Sequence, residues 1–235
     1  AWTPDSASLV FWAGGKINRV DLASGKASII PFRIADSRGV IDPPRPPVAV
    51  APDSFETKMP RGASVSPDGR SVVFETLGKL WIKPMAGGTA RRLTSDDAAM
   101  EGYPSWSADG KRIVFVRWTD AGLGEVRTVG AGGGKATVLT QVAGHYSRPR
   151  FSPDGKLVVF EKGTGGYLVS PRGSAEPGLY KVPANGGAMA RISKDGARPQ
   201  FGPASDRIFA VVAGDGKASL VSMDLNGEAR RTHAD

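Results

Sequence analysis

The sequence predicts an all-β protein, a β-propeller of four-stranded antiparallel blades with five blades visible, consistent with part of a larger ring. Three observations predict it. One short turn motif recurs five times along 235 residues. The recurrence has a period of roughly 40–50 residues, which is the blade range. Turn formers are in excess: Gly 31 and Pro 18 are about a fifth of the chain, against roughly 12% in average usage.

The motif opens each unit. Its copies are Trp2-Thr3-Pro4-Asp5, Val65-Ser66-Pro67-Asp68-Gly69, Trp106-Ser107-Ala108-Asp109-Gly110, Phe151-Ser152-Pro153-Asp154-Gly155 and Phe201-Gly202-Pro203-Ala204. Pro presets φ at the first corner, Asp bonds its own backbone, and Gly supplies positive φ, so the motif is a hairpin turn. A β-type run ending in Phe follows each copy, at Phe11, Phe74, Phe115, Phe160 and Phe209. Third runs follow at 16–22, 79–85, 125–131, 178–184 and 218–224. Then come Gly turns (Gly25, Gly87-Gly88, Gly132–Gly134, Gly186-Gly187, Gly227) and fourth runs at 27–31, 90–94, 136–140, 190–193 and 229–232. Four short strands per repeat make a blade. No long segment carries apolar residues at helical spacing. A sandwich with chance Asp-Gly turns is the poorer reading, because the copies keep one order.

The expected layout is a first blade at 1–32, a connector at 33–60 and four further blades at 61–235. The connector holds Pro43, Pro44, Pro46, Pro47, Pro52 and Pro60, which bars a helix or central strand. A stiff extended spacer is preferred over a proline-rich ligand, although the PxxP spacing is present. Each unit reads as complete in itself, without strands from both termini sharing a blade. An open arc, a slice of a larger propeller and self-association through open blade edges are therefore expected.

Composition excludes several functions. Cys is absent, so there are no disulfides, thiolate metal sites or Cys nucleophile. Only His145 and His233 exist, too few for a centre built on three histidines. No cofactor or metal is assigned. No apolar run reaches the roughly 18 residues of a membrane span. The net charge of +8 comes from scattered basic residues rather than runs, so no nucleic-acid partner is expected.

The hairpin and Gly turns share one face, and they are short and uniform. The long loops at 95–103, 118–124, 141–148 and 162–177 share the other, where function is expected. The candidate binding residues there are Arg117, Trp118, Asp120, His145, Tyr146, Arg148 and Tyr167. Trp118 beside Arg117 is a potential stacking platform. Asp96, Asp97 and Glu101 match no calcium-loop spacing and read as a solvated turn. His145 reads as a packing or surface residue rather than a general base, and no catalytic residue is assigned.

The [Trp/Phe]-Ser-Pro-Asp-Gly-[Lys/Arg] turn, Val-Val-Phe, Gly-Gly and Arg-Leu-Thr segments resemble the WD40-like repeats of TolB-type propellers, over 1–32 and 61–235. A narrower resemblance, carried by 61–68, 104–110, 113–124, 144–155 and 221–231, is to the propeller portion of secreted bacterial amidohydrolase-fused proteins. It implies a non-catalytic propeller that docks on or gates a metal-dependent amidohydrolase domain, whose His-x-His motif this chain lacks. It also implies a periplasmic or secreted location. The alternatives are a stand-alone TolB-like interaction module and the gate of a serine peptidase, whose Gly-x-Ser-x-Gly elbow is also missing. A propeller with its own lyase or glycosidase site ranks last.

Overall fold

The computed structural model describes residues 1–41, 44, 51–164, 175–214 and 216–234. Among them there are only strands and turns, arranged as five antiparallel sheets in chain order. No helix among them is long and apolar enough to cross a membrane.

The first sheet holds β1 (Ser8–Ala13), β2 (Lys16–Asp21) and β3 (Ala27–Ile30). It has three strands, not the four its repeat predicts, and its innermost position is a single bridge from Trp2 to Leu9. This sheet belongs to a compact unit centred on residues 1–55, and a second unit runs from residue 56 onward.

The second unit carries four complete blades. They are β4 (Arg61–Val65), β5 (Ser71–Thr76), β6 (Lys79–Pro84) and β7 (Arg91–Arg92); β8 (Met100–Trp106), β9 (Arg112–Thr119), β10 (Leu123–Gly130) and β11 (Thr137–Val138); β12 (His145–Phe151), β13 (Leu157–Gly163), β14 (Gly178–Pro183) and β15 (Ala190–Ser193); and β16 (Ala197–Phe201), β17 (Arg207–Gly214), β18 (Lys217–Asp224) and β19 (Arg231–Ala234).

Strand alternation explains the packing: successive side chains of each middle strand face opposite neighbours. Val73, Leu80, Ile82 and Leu93 of one blade meet Ile113, Phe115 and Val129 of the next. Val114, Val116, Val126 and Leu139 then meet Val158, Phe160, Tyr180 and Val182. Val159, Leu179 and Ile192 meet Ile208, Ala210, Val221 and Met223. The blades touch successively through β8, β12 and β16, and β16–β19 do not reach β4–β7. Among the described residues of this unit the four blades form an open arc.

Two details correct the sequence alignment. Phe209 does not occupy the Phe115 and Phe160 position. Its neighbour Ala210 does, because Phe201 pairs with Ile208 as Phe151 pairs with Val158. The last strand, β19, also starts later than the 229–232 run, at Arg231.

The hairpin turns bear out their chemistry. Ser66, Ser107 and Ser152 each donate Oγ–H to Asp68, Asp109 and Asp154 at 2.6 Å. Each Ser Oγ accepts the N–H five residues on, from Ser71, Arg112 and Leu157, at 2.9, 3.0 and 2.9 Å. Each Asp also accepts the N–H two residues on.

Candidate binding surface on the axial strands and long loops

Each of the four complete blades carries a bulge in its innermost strand. The register slips between Arg61 and Ser64, Gly102 and Ser105, Ser147 and Arg150, and Ala197 and Gln200. An extra residue sits opposite the partner strand each time. The first bulged residue takes a left-handed backbone: Gly62 at φ 57°, Tyr103 at 56°, Arg148 at 51° and Arg198 at 55°. Pro104, Pro149 and Pro199 follow in three of them and are buried. Proline suits this place, because a bulge on an inner edge strand has no ladder bond to lose.

This device was missed in the sequence, although it has a signal there. Tyr103-Pro104-Ser105-Trp106, Arg148-Pro149-Arg150-Phe151 and Arg198-Pro199-Gln200-Phe201 are one pattern placed just before the turn motif. Reading the turns alone left it unused.

Two of the cavities that adjoin the bulges are bordered by predicted site residues. One, of about 350 Å³, is bordered by Glu75, Met100, Tyr103, Val116, Trp118 and Tyr146, among others. The other, of about 260 Å³, is bordered by Arg148, Arg150, Arg198, Pro199 and Gln200. Arg148 links them: its guanidinium lies 5.7 Å from the Tyr103 ring centroid and donates to Glu161 at 3.1 Å.

The predicted residues separate into distinct groups. Trp118 and His145 come together, ring centroids 4.7 Å apart and tilted by 46°. The Trp118 indole N–H donates to Asp120 at 3.1 Å. A glycine pair builds this contact: Gly124 and Gly144 exchange backbone hydrogen bonds at 2.9 and 3.2 Å. A Cβ on Gly124 would lie 2.4 Å from the Gly144 carbonyl oxygen. The missing side chain lets residue 144 close on β10 and sets His145 against Trp118.

Arg117 is held by the protein itself, donating to Asp96 at 2.6 Å with Glu125 at 3.9 Å. That bond is the chief reason the Asp96 carboxyl sits below its ordinary range. Tyr146 is only 5% exposed and meets Phe160 edge-on at 5.2 Å. Burial pushes its hydroxyl up to about 12, and that hydroxyl donates to the Val142 carbonyl. Arg117 and Arg148 are thus both ion-paired, Tyr146 is buried, Trp118 and His145 are half-buried, and Asp120 is exposed. Tyr167 lies outside the described residues.

The acidic loop also resolves. Lys79 donates to the carbonyls of Asp96, Asp97 and Ala99 at 2.8, 2.9 and 2.7 Å. Asp97 pairs with Arg92. Glu101 is buried and accepts from Thr94 and the Leu80 N–H. The three carboxylates take separate partners instead of converging.

A family model described as the TolB beta propeller domain matches residues 57–235. The chain belongs to this family. Within it, the propeller is 23% identical over 218 residues to an uncharacterized protein of Agrobacterium fabrum, covering 89% of this chain and 64% of that protein. A 55-residue stretch, 23% of this chain and 12% of the relative, is 44% identical to the Tol-Pal system protein TolB of Francisella tularensis. The chain therefore spans less than two thirds of the length of these relatives. Among solved structures, TolB from Acinetobacter baumannii aligns at TM-score 0.61 and 19% identity, over 100% of this chain and 53% of that one. An oligogalacturonate lyase from Vibrio parahaemolyticus aligns at 0.59 and 14%, over 99% and 63%. At such identities these likenesses show the propeller fold alone. That two differently named proteins share it illustrates why function has to be argued from the site.

Proposed function

We propose that this chain is a non-catalytic binding propeller that holds a protein partner against its axial strands and long loops. The observation that carries the reading is the Trp118–His145 pair beside the 350 Å³ cavity, with Tyr103 44% exposed at its rim. Aromatic groups on a rigid scaffold next to a pocket are the usual anchors of a protein interface. Membership of the TolB beta propeller family supports an interaction role over chemistry.

In this reading the partner is a metal-dependent amidohydrolase domain of the same polypeptide, which the propeller docks on or gates, in the periplasm or outside the cell. Support for that finer step is the resemblance of segments such as 104–110 and 144–155 to amidohydrolase-fused propellers. A stand-alone TolB-like module is the alternative, supported by the 55-residue stretch shared with the Francisella protein. Sequencing the coding DNA on both sides of these 235 codons separates them. A downstream His-x-His domain selects the first, and its absence from the reading frame selects the second. The binding surface is tested by cross-linking and affinity capture from the source organism with wild type, Trp118→Ala and Arg70→Gln. Loss of one defined partner with Trp118→Ala alone is expected. Equal capture by all three would overturn the surface.

A further inference from the structure

At the bulges of β12 and β16 three guanidiniums border one cavity of about 260 Å³. Two other half-buried arginines, Arg127 and Arg112, are engaged within the protein. Arg127 pairs with Glu125 at 2.6 Å. Arg112 lies 4.8 Å from the Phe151 ring centroid and donates to the Gly155 and Ala184 carbonyls. The axial set is different. Among the described residues its one ion pair is Arg148 with Glu161 at 3.1 Å. Arg150 donates only to the carbonyl of Pro149, at 2.9 Å. Arg198 gives its backbone N–H, at 3.2 Å, to the same Glu161 oxygen, and this exposed residue borders the cavity.

Three cations facing one carboxylate leave a surplus of two positive charges in a partly buried space. Such a surplus is unfavourable, and it shows in Arg150, whose guanidinium is held below its ordinary range by burial and then by Arg148. Buried charges normally have a partner. A guanidinium fork matches carboxylate geometry, and Glu161 already displays one carboxylate bound there. With about 30 Å³ per water, the space equals roughly eight or nine waters. That fits a carboxylate end group and its surroundings, not a long ligand.

We propose that this cavity is a carboxylate-binding site in which Arg150 and Arg198 hold the incoming group and Gln200 offers its amide N–H. The carboxylate comes either from a small free polycarboxylate or from an acidic side chain of a partner protein. The site does not depend on the docking surface at Trp118, since a small carboxylate would bind without any partner.

Isothermal titration of the full 235-residue chain at constant ionic strength tests it. The probes are citrate, the peptide acetyl-Gly-Asp-Asp-Gly-amide, its Asn counterpart and inorganic phosphate. Saturable binding of citrate or of the Asp peptide is expected, at least tenfold weaker in Arg150→Gln and Arg198→Gln and unchanged in Arg70→Gln. Citrate alone identifies a free carboxylate as the ligand, and the Asp peptide alone identifies a partner's side chain. Arg198 is exposed, so that variant decides the matter if Arg150→Gln fails to fold. No saturable binding of either carboxylate overturns the proposal. So does equal loss in Arg70→Gln, equal binding of the Asn peptide, or tighter binding of phosphate.

Discussion

At the hairpin turns of the second, third and fourth blades, the same atoms meet in the same way. A Ser hydroxyl bonds an Asp carboxylate at 2.6 Å, and both hold backbone N–H groups. At the axial bulges of those blades and the fifth, the backbone repeats but the residue does not: Gly62, Tyr103, Arg148 and Arg198 share one left-handed conformation. The turns spend their side chains on themselves. The bulges present side chains of unrelated chemistry at equivalent places. A repeat fold thus separates positions that keep a blade in shape from positions free to acquire a ligand.

The largest expected effect lies beneath both regions. Phe160 is fully buried between the third and fourth blades, against Tyr146 and Tyr180. Phe160→Ala should cost about 3–5 kcal/mol, read from the urea midpoint of unfolding. A cost under 1 kcal/mol would mean that this interface is not the core of the arc.

Next comes the turn itself. Ser152 is completely buried, and its Oγ bonds both Asp154 and the Leu157 N–H. Ser152→Ala strands that N–H, so a loss of about 1–3 kcal/mol is expected. At the bulge the opposite should hold. Arg150→Gln removes an unpaired cation beside Arg148, and stability should stay within about 0.5 kcal/mol of wild type or rise. If Arg150→Gln destabilises as much as Ser152→Ala, the bulge is structural and the contrast between the two regions fails.

Legibility in the sequence followed the same division. The turns were readable because Ser, Pro, Asp and Gly each act through local bonds, so spacing alone placed them. Most strands followed from the turns to within two residues. The fifth blade misled, because Gly202-Pro203-Ala204 lacks the Ser and Asp and the strand after it carries Phe one place early. Trp118, His145 and Arg148 read as candidates because the sequence places them in or beside long loops, whereas Arg148 sits inside β12 at its bulge. Arg150 and Arg198 did not, because their convergence depends on two neighbouring blades and on a bulge that shifts register by one. Arg117 and Tyr146 read as candidates from position alone, yet Asp96 and Phe160 claim them.

The smallest effect concerns protons at the turns. Asp68, Asp109 and Asp154 all sit below the ordinary carboxyl value of 3.8, first through the Ser hydroxyl and then through a backbone N–H. A carboxyl lowered in the folded state binds fewer protons there than when unfolded. Its stabilisation is therefore complete above the ordinary value, and it is lost as pH falls through the lower folded one. Hydrogen exchange between pH 5 and pH 2 should show the turn amides of Arg70, Lys111 and Lys156 losing protection as pH falls, after correction for intrinsic rates. The fifth blade, with Gly202 and Ala204 where Ser and Asp would stand, supplies the internal control: its turn should show no such step. Asn at the three Asp positions should flatten the response in the other blades to match it. A step in the fifth blade of equal size would mean that acid loosens the arc as a whole, and that the Ser–Asp pairs are not what anchors each turn.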